Sequence, residues 1–319
     1  MKKFVFIIFA VFIVGIADLF KKSTLPDHSL FFIEGTSIYD AMLGDRSFLW
    51  KLKGKEICAI SFMVVDHIQS LKDKIKTGEY VIHSRESVFS FIKSLFEGRL
   101  ITRKLTIPEG HTAKMIVEIV AQNPFLIGKI ESIPQEASLF PSTYFYKFGD
   151  SKEGMIKMME TKMNKIKNKF KQNNKTKFTI EHLIILASII EKESGNASER
   201  GLISSVFHNR LAKKMRLQSC PTVIYALSDG YGKIGRELTK EDLFFDSPYN
   251  TYRKNGLPPT AICCPGEEAI EAALNPAKSD FLFFVANSSN TAHLFSKNFD
   301  SHKRNKYARK TENQHVDDD

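Results

Sequence analysis

The chain has 319 residues, 43% hydrophobic and 26% charged, an ordinary composition for a globular protein with a real core and room for one large domain or two modest ones. Its formal charge of +10 favours an acidic partner, but the lysines are spread out. The densest run, Lys162 to Lys177, carries one aromatic residue, Phe170, in no nucleic-acid module, so it reads as a solvated helix face and nucleic acid is set aside.

Residues 1–22 come first. Lys2 and Lys3 precede an apolar run from Phe4 to Ala17, and Lys21 and Lys22 follow it. The window is slightly shorter than the ~20 residues a spanning helix prefers. An uncleaved anchor with snorkelling lysines is the first reading; a signal peptide cleaved after the small residues Gly15-Ile16-Ala17 is the second. Either exports the rest of the chain, and the anchor leaves a cytoplasmic N-terminus. Residues 23–30, polar with one proline, read as a linker.

A strand at 31–33, a turn and a helix at 37–43 follow, then a helix at 55–70 and a turn at 76–79 into a strand at 80–82. Val88, Phe91, Ile92 and Leu95 have helical spacing, and Gly98 stops that helix. A strand at 102–107 turns at Pro108-Glu109-Gly110 into a helix from Thr112. An amphipathic Lys/Met-rich helix covers 154–170 and breaks at Asn173-Asn174. Residues 303–319 read as a polar, frayed tail. The four cysteines, Cys58, Cys220, Cys263 and Cys264, match no metal spacing. Cys263 and Cys264 are adjacent, so they bridge each other poorly; long-range bridges stay open if the compartment is oxidising. No metal or cofactor is implied.

One helix carries the candidate chemistry. Thr179 is a good N-cap, Glu181 lies in the first turn, and Leu183, Leu186, Ala187 and Ile190 form one buried stripe before Gly195 ends the helix. At about 100° per residue, Glu193 falls about 20° from Leu186, on one border of that stripe, and Glu191 falls on the other. A carboxyl group there is partly desolvated and meets the negative end of the helix dipole. Both effects raise its pKa, as a general acid for a glycosidic oxygen requires. The plainer reading is a solvated Glu-Lys-Glu tip paired with Arg200. No second carboxylate is evident nearby, although Glu136 or Glu199 could arrive from afar.

Several separated motifs in order resemble the endolytic murein transglycosylase (YceG-like) family. They are T-G-E-Y at Thr77, I-P-E-G-H-T at Ile107, L-F-P-S-T-Y at Leu139, A-S-I-I-E-K-E-S ending at Ser194 and F-H-N-R-L at Phe207. The series continues with L-Q-S-C-P-T-V-I-Y at Leu217, S-P-Y-N-T-Y at Ser247, G-L-P-P-T-A-I at Gly256, P-G-E-E-A-I at Pro265 and H-L-F-S at His293. The resemblance implies an α+β chain with an N-terminal membrane helix, a small LysM-like α+β region (31–107) and a larger mixed α/β catalytic domain (108–302). It also implies cleavage of the β-1,4 bond between N-acetylmuramic acid and N-acetylglucosamine, with formation of 1,6-anhydromuramoyl ends. Peptidoglycan glycan strands are then the substrate and peptidoglycan synthases candidate partners. The family's catalytic glutamate falls on Glu193. By motif, Ser194, Asn209, Arg210, Gln218, Thr222, Tyr225, Tyr249, Asn250 and Tyr252 are substrate-binding candidates; His293 ranks below them. Two positions depart from the family: Cys220 and Ser142 stand where it has Asp. A non-catalytic peptidoglycan-binding scaffold and a water-using muramidase are the alternative functions.

Overall fold

The computed structural model describes residues 28–32, 78–82, 88–174, 176–289 and 291–316. The expected membrane segment at 1–22, the elements at 34–43 and the helix at 55–70 lie outside them. No helix among the described residues is long and apolar enough to cross a membrane. The architecture is α+β: helices with three two-stranded sheets among the described residues. The chain divides into two compact units. One comprises residues 1–104, 124–127 and 145–150; the other comprises 105–123, 128–144 and 151–319.

In the first unit, β1 (His28–Phe32) pairs antiparallel with β2 (Gly78–Ile82), His28 facing Ile82 and Phe32 facing Gly78. β1 begins inside the stretch expected to be linker. Its ladder partner is remote in sequence, which local polarity does not announce. Glu79, expected in a turn, lies in β2, is buried, and pairs with Arg103. The Arg103 guanidinium also covers the Phe125 ring at 3.8 Å. Helix α1 (Val88–Glu97) ends at Gly98, whose φ of +65° is the left-handed conformation anticipated for that glycine.

β3 (Arg103–Thr106) and β4 (Thr143–Tyr146) form a two-stranded sheet. In the second unit, α2 (Ala113–Ala121) is capped by Thr112 and α3 (Lys152–Asn173) by Ser151. Helix α4 (Ile180–Glu193) is the hub. Thr179 caps it, accepting from the His182 N–H. It packs chiefly against α7 (Glu267–Leu274) and α5 (Arg200–Ala212). The expected one-sided stripe is wider than its spacing suggested: from Leu183 to Ile190, every residue except Ile185 is buried. A helix apolar on nearly all sides is a central one, and each such Leu or Ile contributes about 1.5–3 kcal/mol on burial. Phe207, Ile203, Ile262, Ile270 and Leu274 complete this core.

Two helix ends differ from expectation. α4 does not finish on a left-handed Gly195: Ser194 is the C-cap, in extended conformation, with its N–H on the Ile190 carbonyl at 2.9 Å. The polar C-terminal stretch is not frayed through its length. It forms α8 (Phe299–Val316), started by Asn298, whose side chain accepts from the Ser301 N–H. His302 of α8 stacks on Phe283 of β5 (Phe283–Ala286), the antiparallel partner of β6 (His293–Ser296). That tertiary contact anchors a segment whose composition alone is polar.

Candidate active site

The three residues that close α4 separate. Glu191 accepts from the Gly266 N–H at 2.9 Å and from Arg200 at 3.2 Å. Arg200 also engages Glu268 and the Ser194 hydroxyl, so the ion pair considered for this helix end falls on Glu191. The Glu109 carboxylate lies over Gly266, where a Cβ would displace it. Lys192 is exposed. Glu193, on the other border of the stripe, accepts from the Ser219 hydroxyl at 2.5 Å.

Burial raises the Glu193 pKa above the ordinary carboxylate value; the Ser219 hydrogen bond, then the His293 charge, then the Arg210 charge, oppose it. No carboxylate acts on Glu193 among the described residues. Glu136 is held elsewhere, by the N–H groups of Ala113 (2.9 Å) and Ala137 (3.3 Å) and the Tyr225 hydroxyl (3.3 Å). Glu199 is held by His293.

Ser219 sits in a braced turn. Gln218 adopts a left-handed φ of +51° and is exposed, and its N–H donates to the Thr251 carbonyl. The Ser219 N–H donates to Thr251 Oγ1 at 3.0 Å, and Thr222 Oγ1 donates to the Ser219 carbonyl at 2.7 Å. Ser219 occupies the N-cap position of α6 (Cys220–Leu227) yet makes no cap bond; its hydroxyl goes to Glu193 instead. Neither Ser219 nor Thr251 was singled out from the sequence, although both stand inside motifs that were. A serine before proline at a helix start reads locally as a cap, and only the fold sets it against α4.

The substrate-binding candidates fall into three groups. Arg210 and Tyr252 lie within electrostatic reach of Glu193, as does Cys220, whose Sγ is 3.1 Å from the Tyr252 hydroxyl. Burial pushes both the Cys220 thiol and the Tyr252 phenol upward, so both are neutral groups. Asp at position 220, as in the family, would set a second negative charge beside Glu193; cysteine leaves the acid without one. Tyr225 and Tyr249, with ring centroids 5.0 Å apart, line a different cavity of about 430 Å³ together with Glu136, Lys114 and Phe245. Gln218 is exposed, and the remaining four are tied into the fold. Thr222 and Asn250 are fully buried, so neither lines a cleft; Asn250 donates to the carbonyls of Leu243 and Phe245 and accepts the Tyr252 N–H at 2.9 Å. Asn209 donates to the carbonyls of Ser279 and Phe281, and Ser194 caps α4. At the other departure, Ser142 accepts from Lys162 at 2.7 Å, where an aspartate would form an ion pair. Cys220, Cys263 and Cys264 are free thiols.

The sequence model of the YceG-like family matches residues 46–308. An endolytic murein transglycosylase of Bacillus subtilis (strain 168) is 41% identical over 54% of this chain and 47% of its own length. One from Streptococcus pneumoniae serotype 2 is 31% identical over 72% of this chain and 50% of its own. The chain thus spans about half the length of the curated relatives it matches. A crystal structure of a yceG-like protein from Listeria monocytogenes superposes with a TM-score of 0.55 at 32% identity, covering 87% of this chain and 98% of that one.

Proposed function

Because this chain belongs to the YceG-like family, we propose that it is an endolytic lytic transglycosylase that cuts peptidoglycan between N-acetylmuramic acid and N-acetylglucosamine, with Glu193 as its acid/base. The observation that carries the reading is Glu193 itself: a carboxyl group raised by burial, with the Ser219 hydroxyl as its hydrogen-bond donor and no carboxylate among the groups that shift it. A raised carboxyl group holds the proton that the leaving glycosidic oxygen needs. Glu193 gives that proton as the C1–O bond breaks, and the acetamido group of the muramoyl residue shields the developing positive charge at C1. The muramoyl C6 hydroxyl then bonds to C1, and its proton returns to Glu193. The nucleophile belongs to the substrate, so its effective concentration is high and no second carboxylate is needed to activate water. Arg210 and the His293 imidazole, when protonated, stabilise the Glu193 carboxylate between the two proton transfers. In this reading the apolar segment at 1–22 tethers the chain to the cytoplasmic membrane with its catalytic part outside, where it ends nascent strands beside the synthases.

The test is product mass. The full-length chain and Glu193→Gln are incubated with uncrosslinked glycan strands. New muramoyl ends one water lighter than reducing ends, absent with the variant, are the expected outcome. Reducing ends would make the protein a muramidase; strands bound but uncut by both proteins would make it a scaffold.

A further inference from the structure

Glu199 ends the 3₁₀ turn (Ala197–Glu199) that joins α4 to α5, and it occupies the N-cap position of α5. An acidic side chain there ordinarily turns onto the free N–H groups of its own helix. Glu199 makes no such bond. One carboxylate oxygen accepts the backbone N–H of His293 at 2.8 Å, and the other lies 2.8 Å from His293 Nδ1. The pair is largely enclosed, the side chains 12% and 16% exposed, and the imidazole meets Phe284 edge-on at 5.3 Å. A carboxylate that takes both N–H groups of one histidine sets its tautomer and ring orientation. The N-terminal side of the same linker is braced separately, by Arg200 on Ser194 and Glu191. Everything between Glu193 and α5 is therefore held from two sides.

We propose that His293, oriented by the Glu199 carboxylate, is a positioning residue for Glu193: the pair fixes the turn that follows the acid and presents an imidazole charge to it. The proposal rests on the lytic reading of Glu193. Its other charged and titratable neighbours are Arg210 from α5, Cys220 from α6 and Tyr252 from the loop before α7; Lys306 of α8 acts on Cys220. Arg210 keeps its charge throughout the working range.

The experiment is the pH dependence of kcat/KM for anhydromuramoyl ends, using the full-length wild type, His293→Gln and Glu199→Gln, with thermal unfolding alongside. The alkaline fall in rate marks loss of the Glu193 proton. The His293 charge favours the carboxylate, so removing it raises the Glu193 pKa and moves the fall to higher pH. Glu199→Gln keeps a hydrogen-bond partner and gives a smaller shift of the same sign. In both variants the plateau kcat drops about tenfold with KM little changed, the signature of a misplaced acid. Folded variants whose alkaline fall stays where it was would overturn the proposal and leave the pair a structural brace. A carbon-13 titration of the Glu193 carboxyl group needs no activity and decides with whichever variant folds: an unmoved midpoint overturns the proposal. Absence of anhydro ends from the wild type would overturn the lytic reading alone, and the same titration would still judge the pair.

Discussion

Glu193 and Glu191 are two residues apart on one helix, yet their surroundings are opposite. Glu191 has an arginine and a backbone N–H; Glu193 has a hydroxyl, with Arg210 and His293 acting on it without a hydrogen bond. The helical azimuth separated the two in advance, because side-chain direction on a helix follows from residue number. The hydroxyl partner was invisible, since Ser219 reaches Glu193 only through packing of α6 beside α4. That bond favours the ionised form and so holds the Glu193 pKa down against burial. Ser219→Ala should therefore raise it further. The alkaline fall of kcat/KM moves to higher pH, measurable as a displaced pH profile, while the Thr251 and Thr222 contacts to the Ser219 backbone are kept.

At the scale of elements, the helices were the legible part. Thr112 and Thr179 start their helices where a hydroxyl before an apolar run is expected to. Thr179→Ala should cost about 1 kcal/mol, read as a lowered denaturant midpoint with an unchanged slope. Burial of α4 on nearly all sides was not legible, because α7, its chief packing partner, comes from a part of the chain far removed in sequence. β1 begins earlier than the strand expected at 31–33, and α8 was missed: one owes its bonds to β2 and the other its anchor to β5. α4 does end just ahead of Gly195 as expected, but without the left-handed conformation usual for such a glycine, because Ser194 turns the chain out first.

In the molecule as a whole, Arg210 holds the second unit together beneath the site. Its guanidinium donates to the Leu282 carbonyl before β5 (2.6 Å) and the Leu217 carbonyl before the Ser219 turn (2.7 Å), and it lies 5.2 Å from the Phe283 ring. Lysine keeps the charge but cannot reproduce the fork. Arg210→Lys should cost about 2–4 kcal/mol, as buried carbonyls lose donors at about 1–3 kcal/mol each. Thermal unfolding checks the loss, and kcat should fall with it because the same residue supplies charge to Glu193.

The sequence alone determined the helices that start at Thr112 and Thr179 and the Lys/Met-rich helix between them, the border position of Glu193 and the resemblance to a family that the comparisons then established. These follow from spacing, capping and motif order, which are properties of neighbouring residues. Only the tertiary structure decided which carboxylate takes Arg200, that Ser219 rather than a second acid faces Glu193, and that Thr222 and Asn250 lie under the site. It alone set Tyr225 and Tyr249 in another cavity and closed Glu199 onto His293. Those are contacts between segments remote in sequence, and no local pattern encodes which buried polar group will meet which.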